Sequence, residues 1–517
     1  MSEFKLKDIS SLSLQPGEKQ EVEVEGIEGG KVLLANVGGK IQALGPKCTH
    51  YGAPLVKGVM TKSGRITCPW HGACFNGKTG DVEDAPALDS LPVFKVIEKD
   101  GAVYVQGEEA TIKAGRRQPN LKSTSATKSE KIVVVGGGSG GLGLVQGLRE
   151  KGYGGKITMI TNEGVLPIDR TKLSKALMTD VSKLQWRDDE WFKTGSVDVV
   201  QQEVTGVDFS SKEVTTKAGG KFRLRQLRNI ENAKEINTAI GDKGKKIVVV
   251  GSSFIGMELA NCVAADNTVT VIGMENTPLE RVLGKEVGAG LQKSLEGKGV
   301  KFYMGASVDK AEPSSSDPSK VGFVVLKDGT KLEADLVVLG IGISPSTEYL
   351  SENKVVRLEE DGSLKTDEQY SVVGLKDVYA IGDIASFPYQ GPGGEGKYTR
   401  IEHWNVAQQS GRIVAGHIVN PSIKPEFFTP IFWSALGAQL RYCGNTSNGY
   451  DDLILNGNPA EANFVAYYCK GETVVALASM GRDPVMAQAA ELMRRYKMPS
   501  KSEIKGGLDI LSLGSPE

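Results

Sequence analysis

KIVVVGGGSGGLGLVQGLRE, residues 131–150, decides the architecture. The apolar run IVVV reads as a strand, and Gly136-Gly137-Gly138-Ser139-Gly140-Gly141 turns directly into helical text. A lone G-x-G-x-x-G is a weak signal, but a strand before it and a helix after it supply the context that a dinucleotide turn needs. Gly136, Gly138 and Gly141 let the backbone and the helix N-terminus approach a pyrophosphate. About one βαβ unit later, KITMITNE ends in Glu163, where a carboxylate can hydrogen-bond an adenosine ribose. The pattern returns at 246–264 as KIVVVGSSFIGMELANCVA, so a βαβ module is duplicated. In this second turn Gly251 and Gly256 stand as before, while Ser252 takes the place of the second glycine. Serine is small enough for close approach, and its hydroxyl can bond a phosphate.

The rest of the chain organises around these two turns. Its 517 residues exceed what one core usually supports, so several domains are expected. Residues 1–107 alternate in the strand manner and predict an all-β domain. Residues 108–130, polar, basic and aperiodic, read as a flexible linker. Residues 131–245 form the first part of one Rossmann-like domain, 246–365 a second such domain, 366–425 the remainder of the first, and 426–517 a C-terminal α+β domain. The formal charge of −1 lacks the basic excess that favours nucleic acid or anionic membranes, so no nucleic-acid partner is expected. No apolar run nears a membrane span, and MSEFKLKDIS has neither an h-region nor an Arg-rich amphipathic pattern. Six cysteines in so long a chain fit a reducing compartment. The expectation is a cytoplasmic protein, with mitochondrial association left open.

Three of those six cysteines and two of the four histidines fall in CTHYGAPLVKGVMTKSGRITCPWHGACF, residues 48–75. Cys48-x-His50 and Cys68-x-x-His71 offer two thiolates and two imidazoles. Zinc is the first guess for a Cys₂His₂ set, yet zinc fingers place both Cys in one pair and both His in the other. Here each loop carries one of each. Mixed pairing suits a [2Fe–2S] cluster in which one iron takes both Cys and the other both His. The segment resembles Rieske proteins, in which C-x-H is followed by C-x-x-H at this spacing. Ala53 and Trp70 stand where high-potential Rieske proteins carry a disulfide, so the resemblance is to the ferredoxin-type group. That implies a potential near the low end of roughly −150 to +300 mV. Cys74 reads as a buried apolar residue.

LPIDRTKLSK at 166–175 and VYAIGDIA at 378–385 resemble FAD-contacting segments of the ferredoxin-reductase and apoptosis-inducing-factor family. RIEHWNVAQQSGRIVAG at 400–416 and FTPIFWSALGAQLRYCG at 428–444 resemble its Rieske-containing branch. The resemblance implies that Arg170 and Lys175 face a flavin, that Gly382 and Asp383 hold its ribityl chain, and that Glu402 and His403 lie on its far side. It further implies that Phe254, Glu258, Lys175, His403 and Trp433 surround the isoalloxazine or stack on the nicotinamide. Lys175, Glu258 and His403 are thus the catalytic candidates, although none is expected to act as a general acid or base, since hydride transfer is the cofactors' chemistry. The second turn resembles the NAD(P)H site. Gly273 stands where the family has a Glu that selects NADH; Glu275 lies two residues on, and no Arg is read nearby, so NADH is slightly favoured. The family also carries an apolar strand and an ATG-type turn beside the flavin that nothing from Phe222 to Lys246 supplies, which predicts impaired flavin retention.

The function expected is an NAD(P)H-dependent FAD oxidoreductase passing electrons to its own Rieske cluster and on to an unknown protein or small-molecule acceptor. The alternatives are a redox-gated signalling protein of the apoptosis-inducing-factor type, and a chain that keeps its cluster without flavin. A homodimer is left open.

Overall fold

The computed structural model describes residues 2–119, 121, 129–217, 229–241, 243–514 and 516. The N-terminal domain is all-β. Strands Ser2–Lys5, Ala102–Gly107, Val93–Lys99, Lys40–Leu44, Lys31–Val37 and Lys19–Glu23 form an antiparallel six-stranded sheet in that order. A smaller sheet of Val59–Met60, Arg65–Thr67, Cys74–Asn76 and Val82–Asp84 carries the two cysteine loops at one end.

The segment read as a flexible linker is a correction for its first third. Glu109–Ala114 is a helix ended by Gly115 in the left-handed region, with Lys113 paired to Glu109. Its one buried residue, Ile112, joins the core formed by Phe94, Val103 and Val105, and Arg117 bridges the backbone of Ser90. One apolar side chain finding a core outweighs the polar composition of its neighbours.

The two glycine turns head two α/β domains, as their text predicts. Lys246–Val250 lies inside a four-stranded parallel sheet ordered Lys301–Met304, Thr268–Gly273, Lys246–Val250, Leu336–Leu339. Lys131–Val135 pairs with Lys156–Thr161, which pairs with Val197–Gln201. The missing-strand reading concerns residues from 222 to 246, of which 222–228 and 242 lie outside the described residues; helix Ile230–Ile240 occupies much of the rest.

Helix Ser139–Glu150, opened by the first glycine turn, packs along helix Trp404–Val419. Glycines set that closeness: a Cβ on Gly143 would lie 2.4 Å from Gln408 O, and one on Gly411 would lie 2.3 Å from Gly140 O. The C-terminal domain is a five-stranded antiparallel sheet, Ile431–Ala435, Gln439–Gly444, Thr473–Met480, Asn463–Lys470 and Asp452–Asn458, backed by helix Val485–Arg494. Among the described residues no helix is long and apolar enough to cross a membrane.

Candidate functional site

The two cysteine loops share one backbone design. Cys48 N–H donates to Ala53 O at 2.8 Å and Gly52 N–H to Cys48 O at 2.8 Å; Cys68 N–H donates to Ala73 O at 2.9 Å and Gly72 N–H to Cys68 O at 3.2 Å. Gly52 and Gly72 have φ of 79° and 69°, which a side chain would strain. Cys48, His50, Cys68 and His71 are all buried.

His50 Nδ1 and His71 Nδ1 approach to 3.0 Å. Two nitrogens bound at about 2.0 Å to one tetrahedral ion stand about 3.3 Å apart. Burial lowers the pKa of His50 to about 3, with Lys172 adding to the effect, and burial followed by the charges of His50 and Arg441 takes that of His71 well below its usual value. Neutral imidazole is the ligating form. The Cys48 and Cys68 thiols hydrogen-bond each other. Burial pushes both up, but Cys48 and the backbone N–H groups of His71 and Trp70 bring Cys68 below the ordinary thiol value. Among the described residues no group of three or more His, Cys, Asp or Glu side chains is placed to hold a single metal ion. The donors stand as one Cys pair and one His pair, the set that two irons with two ligands each require.

The histidine pair faces the rest of the chain rather than water. Tyr51 stacks on His50 with ring centroids 3.9 Å apart, and Trp186 stacks on it at 5.6 Å. His71 packs on Trp433 at 4.2 Å, and Trp433 meets His403 edge-on at 5.1 Å. Tyr51 donates its hydroxyl hydrogen to the Asp169 carboxylate, next to Arg170. Directly behind Trp433, Ser434 Oγ donates to Glu258 Oε1 at 2.6 Å; Ser174 Oγ donates to Glu258 Oε2 at 2.5 Å, and Lys175 Nζ lies 2.9 Å from Glu258 Oε1. A buried carboxylate with two hydroxyl donors and an ammonium is fully satisfied and fixed in place. Phe254 and Glu258 share one face of helix Phe254–Val263, and Phe254 packs on Phe432, which also touches His403. The structure thus brings Lys175, Glu258, His403, Trp433 and Phe254 into one cluster beside the metal-ligand loops.

The remaining predicted residues lie at two turns and a flanking loop. Gly136 has φ of 108°, and a Cβ there would meet nothing within 4 Å. Gly138 caps helix Ser139–Glu150, its nearest atom to a hypothetical Cβ being Arg170 Nη2 at 3.8 Å. That leaves open space before a helix N-terminus, which fits a pyrophosphate. Gly141 is tight instead, its hypothetical Cβ 2.2 Å from Gly136 O. Glu163 ion-pairs with Arg170. Gly382 N–H donates to Ser410 Oγ at 3.1 Å, and Arg400 bridges Glu402, Asp361 and the Asp383 carbonyl. At the second turn Gly251 has φ of 109°, and a Cβ on Gly256 would lie 2.2 Å from Gly251 O. The reading that no arginine stands near Glu275 is corrected: Arg281 Nε is 3.0 Å from Glu275 Oε1. Arg281 is the second residue of helix Glu280–Glu296, which follows strand Thr268–Gly273, so the chain reversal after the strand returns it to the strand's end.

Sequence reasoning missed Tyr51, Trp186, Ser174 and Ser434. Tyr51, Ser174 and Ser434 adjoin predicted residues, so adjacency was the available signal. Trp186 had none.

Comparison with known proteins matches residues 130–225 and 218–411 to a pyridine nucleotide-disulphide oxidoreductase model, 4–95 to a Rieske [2Fe-2S] domain and 431–506 to a reductase C-terminal domain. Apoptosis-inducing factor 3 of Homo sapiens is 36% identical over 524 residues, spanning 95% of this chain and 84% of that protein. Putidaredoxin reductase CamA of Pseudomonas putida is 27% identical over 412 residues, spanning 73% of this chain and 94% of its own. The solved covalent putidaredoxin reductase–putidaredoxin complex superposes with a TM-score of 0.68 at 25% identity, covering 75% of this chain and 99% of that one.

Proposed function

This chain belongs to the pyridine nucleotide-disulphide oxidoreductase family, in a form fronted by a Rieske [2Fe-2S] domain, and from that premise we propose that it passes electrons from NAD(P)H through FAD to its own cluster and on to a separate acceptor. It is an oxidoreductase whose cofactors are a [2Fe-2S] cluster, FAD and NAD(P)H. When bound, these supply hydride acceptance at the flavin and one-electron transfer at the cluster.

The protein's own residues supply position. Cys48, His50, Cys68 and His71 are the ligand set, and Gly136, Gly138 and Glu163 the first dinucleotide site. Gly251, Gly256 and Glu275 serve the coenzyme. The observation that carries the reading is the packing of His71 on Trp433, whose next residue, Ser434, holds the Glu258–Lys175 pair. The imidazoles are buried against the cluster of residues assigned to the flavin, which keeps bulk water from the histidine pair. A reducing compartment suits the cysteines, none of which is in a disulfide.

Anaerobic mixing with NADH tests this. The flavin band should bleach first and the cluster band second, in a phase whose rate is independent of protein concentration. A cluster that stays oxidised beside a fully reduced flavin overturns the reading. Slow reduction to a long-lived coenzyme complex without turnover would favour the signalling alternative, which the likeness to apoptosis-inducing factor 3 brings in.

A further inference from the structure

The loop that follows strand Val82–Asp84 is built into the reductase body. Leu88, although part of the N-terminal domain, is buried within the hydrophobic core of the first α/β domain, among Val134, Leu142 and Val145. Its carbonyl accepts from Gln146 Nε2 at 2.5 Å and Arg187 Nη2 at 3.1 Å, and Arg187 Nη2 also lies 2.7 Å from Asp89 Oδ1.

One face of helix Trp404–Val419 meets the same loop. Asn405, Gln408, Gln409 and Arg412 stand at i, i+3, i+4 and i+7, a single helical stripe, and all four are buried. Asn405 Nδ2 donates to Ala85 O at 3.0 Å, Gln408 Nε2 to Ala87 O at 3.3 Å and Arg412 Nη2 to Val82 O at 2.8 Å. Gln409 makes two bonds, accepting from Ala85 N–H at 3.0 Å and donating to Asp84 Oδ1 at 2.7 Å. The loop is tied to the metal ligands in turn: Thr49, between Cys48 and His50, donates its hydroxyl hydrogen to Asp89 O at 2.5 Å.

We propose that this polar stripe and the Leu88 anchor lock the Rieske domain in one permanent docked pose, making its cluster a resident centre of the reductase rather than a tethered shuttle. A carrier that swings away would expose Leu88 to water and give up the row of hydrogen bonds between the loop and the helix, each a net stabilisation that bonding to water does not fully replace. Asn405, Gln408, Gln409 and Arg412 are then positioning residues, acting through the loop and Thr49 on where His50 and His71 sit. The inference rests on the electron path proposed above, and the test separates the two.

A protease site is placed in residues 122–127 of the full holoprotein and cut. Both fragments should co-elute at about 0.1 µM, and the cluster-reduction rate should change less than about twofold on cutting and on dilution from about 10 µM. Fragments that separate, or a rate that falls with dilution, overturn the locked pose. In the cut protein, Leu88→Ala with Arg412→Met should slow cluster reduction about tenfold or more at 1 µM and make it concentration-dependent, while NADH oxidation by ferricyanide is unchanged. Leu88→Met should retain the parent behaviour. No effect of the double variant also overturns the proposal. Fragments that stay together around a cluster that NADH never reduces would uphold the docking and refute the electron path.

Discussion

At the scale of single residues, Ser252 and Gly273 are two halves of one choice. A Cβ on Gly273 would lie 2.6 Å from Ser252 Oγ, 3.0 Å from Ser252 Cβ and 2.6 Å from Met304 Cε. With serine in the turn, a long side chain at the strand end is crowded, and the acidic group stands two residues on as Glu275, paired with Arg281. Arg281 is 83% exposed even while paired with Glu275, so its guanidinium is accessible to a 2′-phosphate, which narrows the preference for NADH. Arg281→Ala should lower kcat/KM for NADPH about tenfold, near 1.4 kcal/mol, and leave NADH little changed. An unchanged NADPH value removes Arg281 from the site. His403 allows a second prediction. Burial, with Lys175 adding to it, takes its pKa to about 3 from an unperturbed 6.5. The unfolded imidazole therefore takes up a proton that the folded one refuses, and stability is lost as pH falls from 6.5 towards 3. By pH 5 the loss is about 2 kcal/mol. Thermal scans between pH 7 and 5 should show a flatter Tm profile for His403→Gln than for the parent, and parallel profiles would refute the assignment.

At the scale of elements, the same pentapeptide has two fates. KIVVV at 246–250 is paired on both sides, and Ile247, Val248 and Val249 are at most 1% exposed. KIVVV at 131–135 has a partner on one side among the described residues, and Val133 and Val135 are 48% and 39% exposed. An apolar edge of this kind is a liability that proteins normally cover. The prediction is that the protein purifies with less than one FAD per chain while its iron is complete. Inserting the family's strand and turn between Lys221 and Leu227 should restore flavin and add about 2–3 kcal/mol of stability by covering the two valines. Full FAD in the parent would show that the shortened domain is sufficient. The comparison also shows what a sequence can convey. Strand, glycine turn and helix were legible because their signals are local, and so were the two C-x-H and C-x-x-H loops. Burial of the strand was not, because it depends on a neighbour that identical text cannot name.

At the scale of the whole molecule, the ends of the chain are joined by charge. Arg65, on a strand of the smaller N-terminal sheet, lies 2.9 Å from Glu491 Oε1 on helix Val485–Arg494 and also pairs with Glu83 and Asp84. Thr67 Oγ1 donates to the same Glu491 oxygen at 2.7 Å, and Arg494 Nε lies 3.1 Å from Oε2. Nothing local announces such contacts: Arg65 and Glu491 are 426 positions apart, and each reads alone as an ordinary surface charge. The same holds for Leu88 and the stripe on helix Trp404–Val419, so the domains could be read but their docking could not. Burial works against the Glu491 carboxylate while Arg65, then Arg494, hold its pKa below the ordinary value, so it stays charged at neutral pH. Removing Arg65 leaves the buried Glu491 carboxylate with Arg494 and Thr67 but without its bond to the guanidinium on Oε1, whereas removing both ends of the pair takes the buried carboxylate away as well. Arg65→Met should therefore cost about 3–5 kcal/mol and Arg65→Met with Glu491→Leu distinctly less. The readout is two signals on one melt, cluster absorbance and flavin fluorescence. They should fall together in the parent and separate in Arg65→Met, with the cluster lost first. Coincident loss in all three proteins would mean that this contact does not couple the domains.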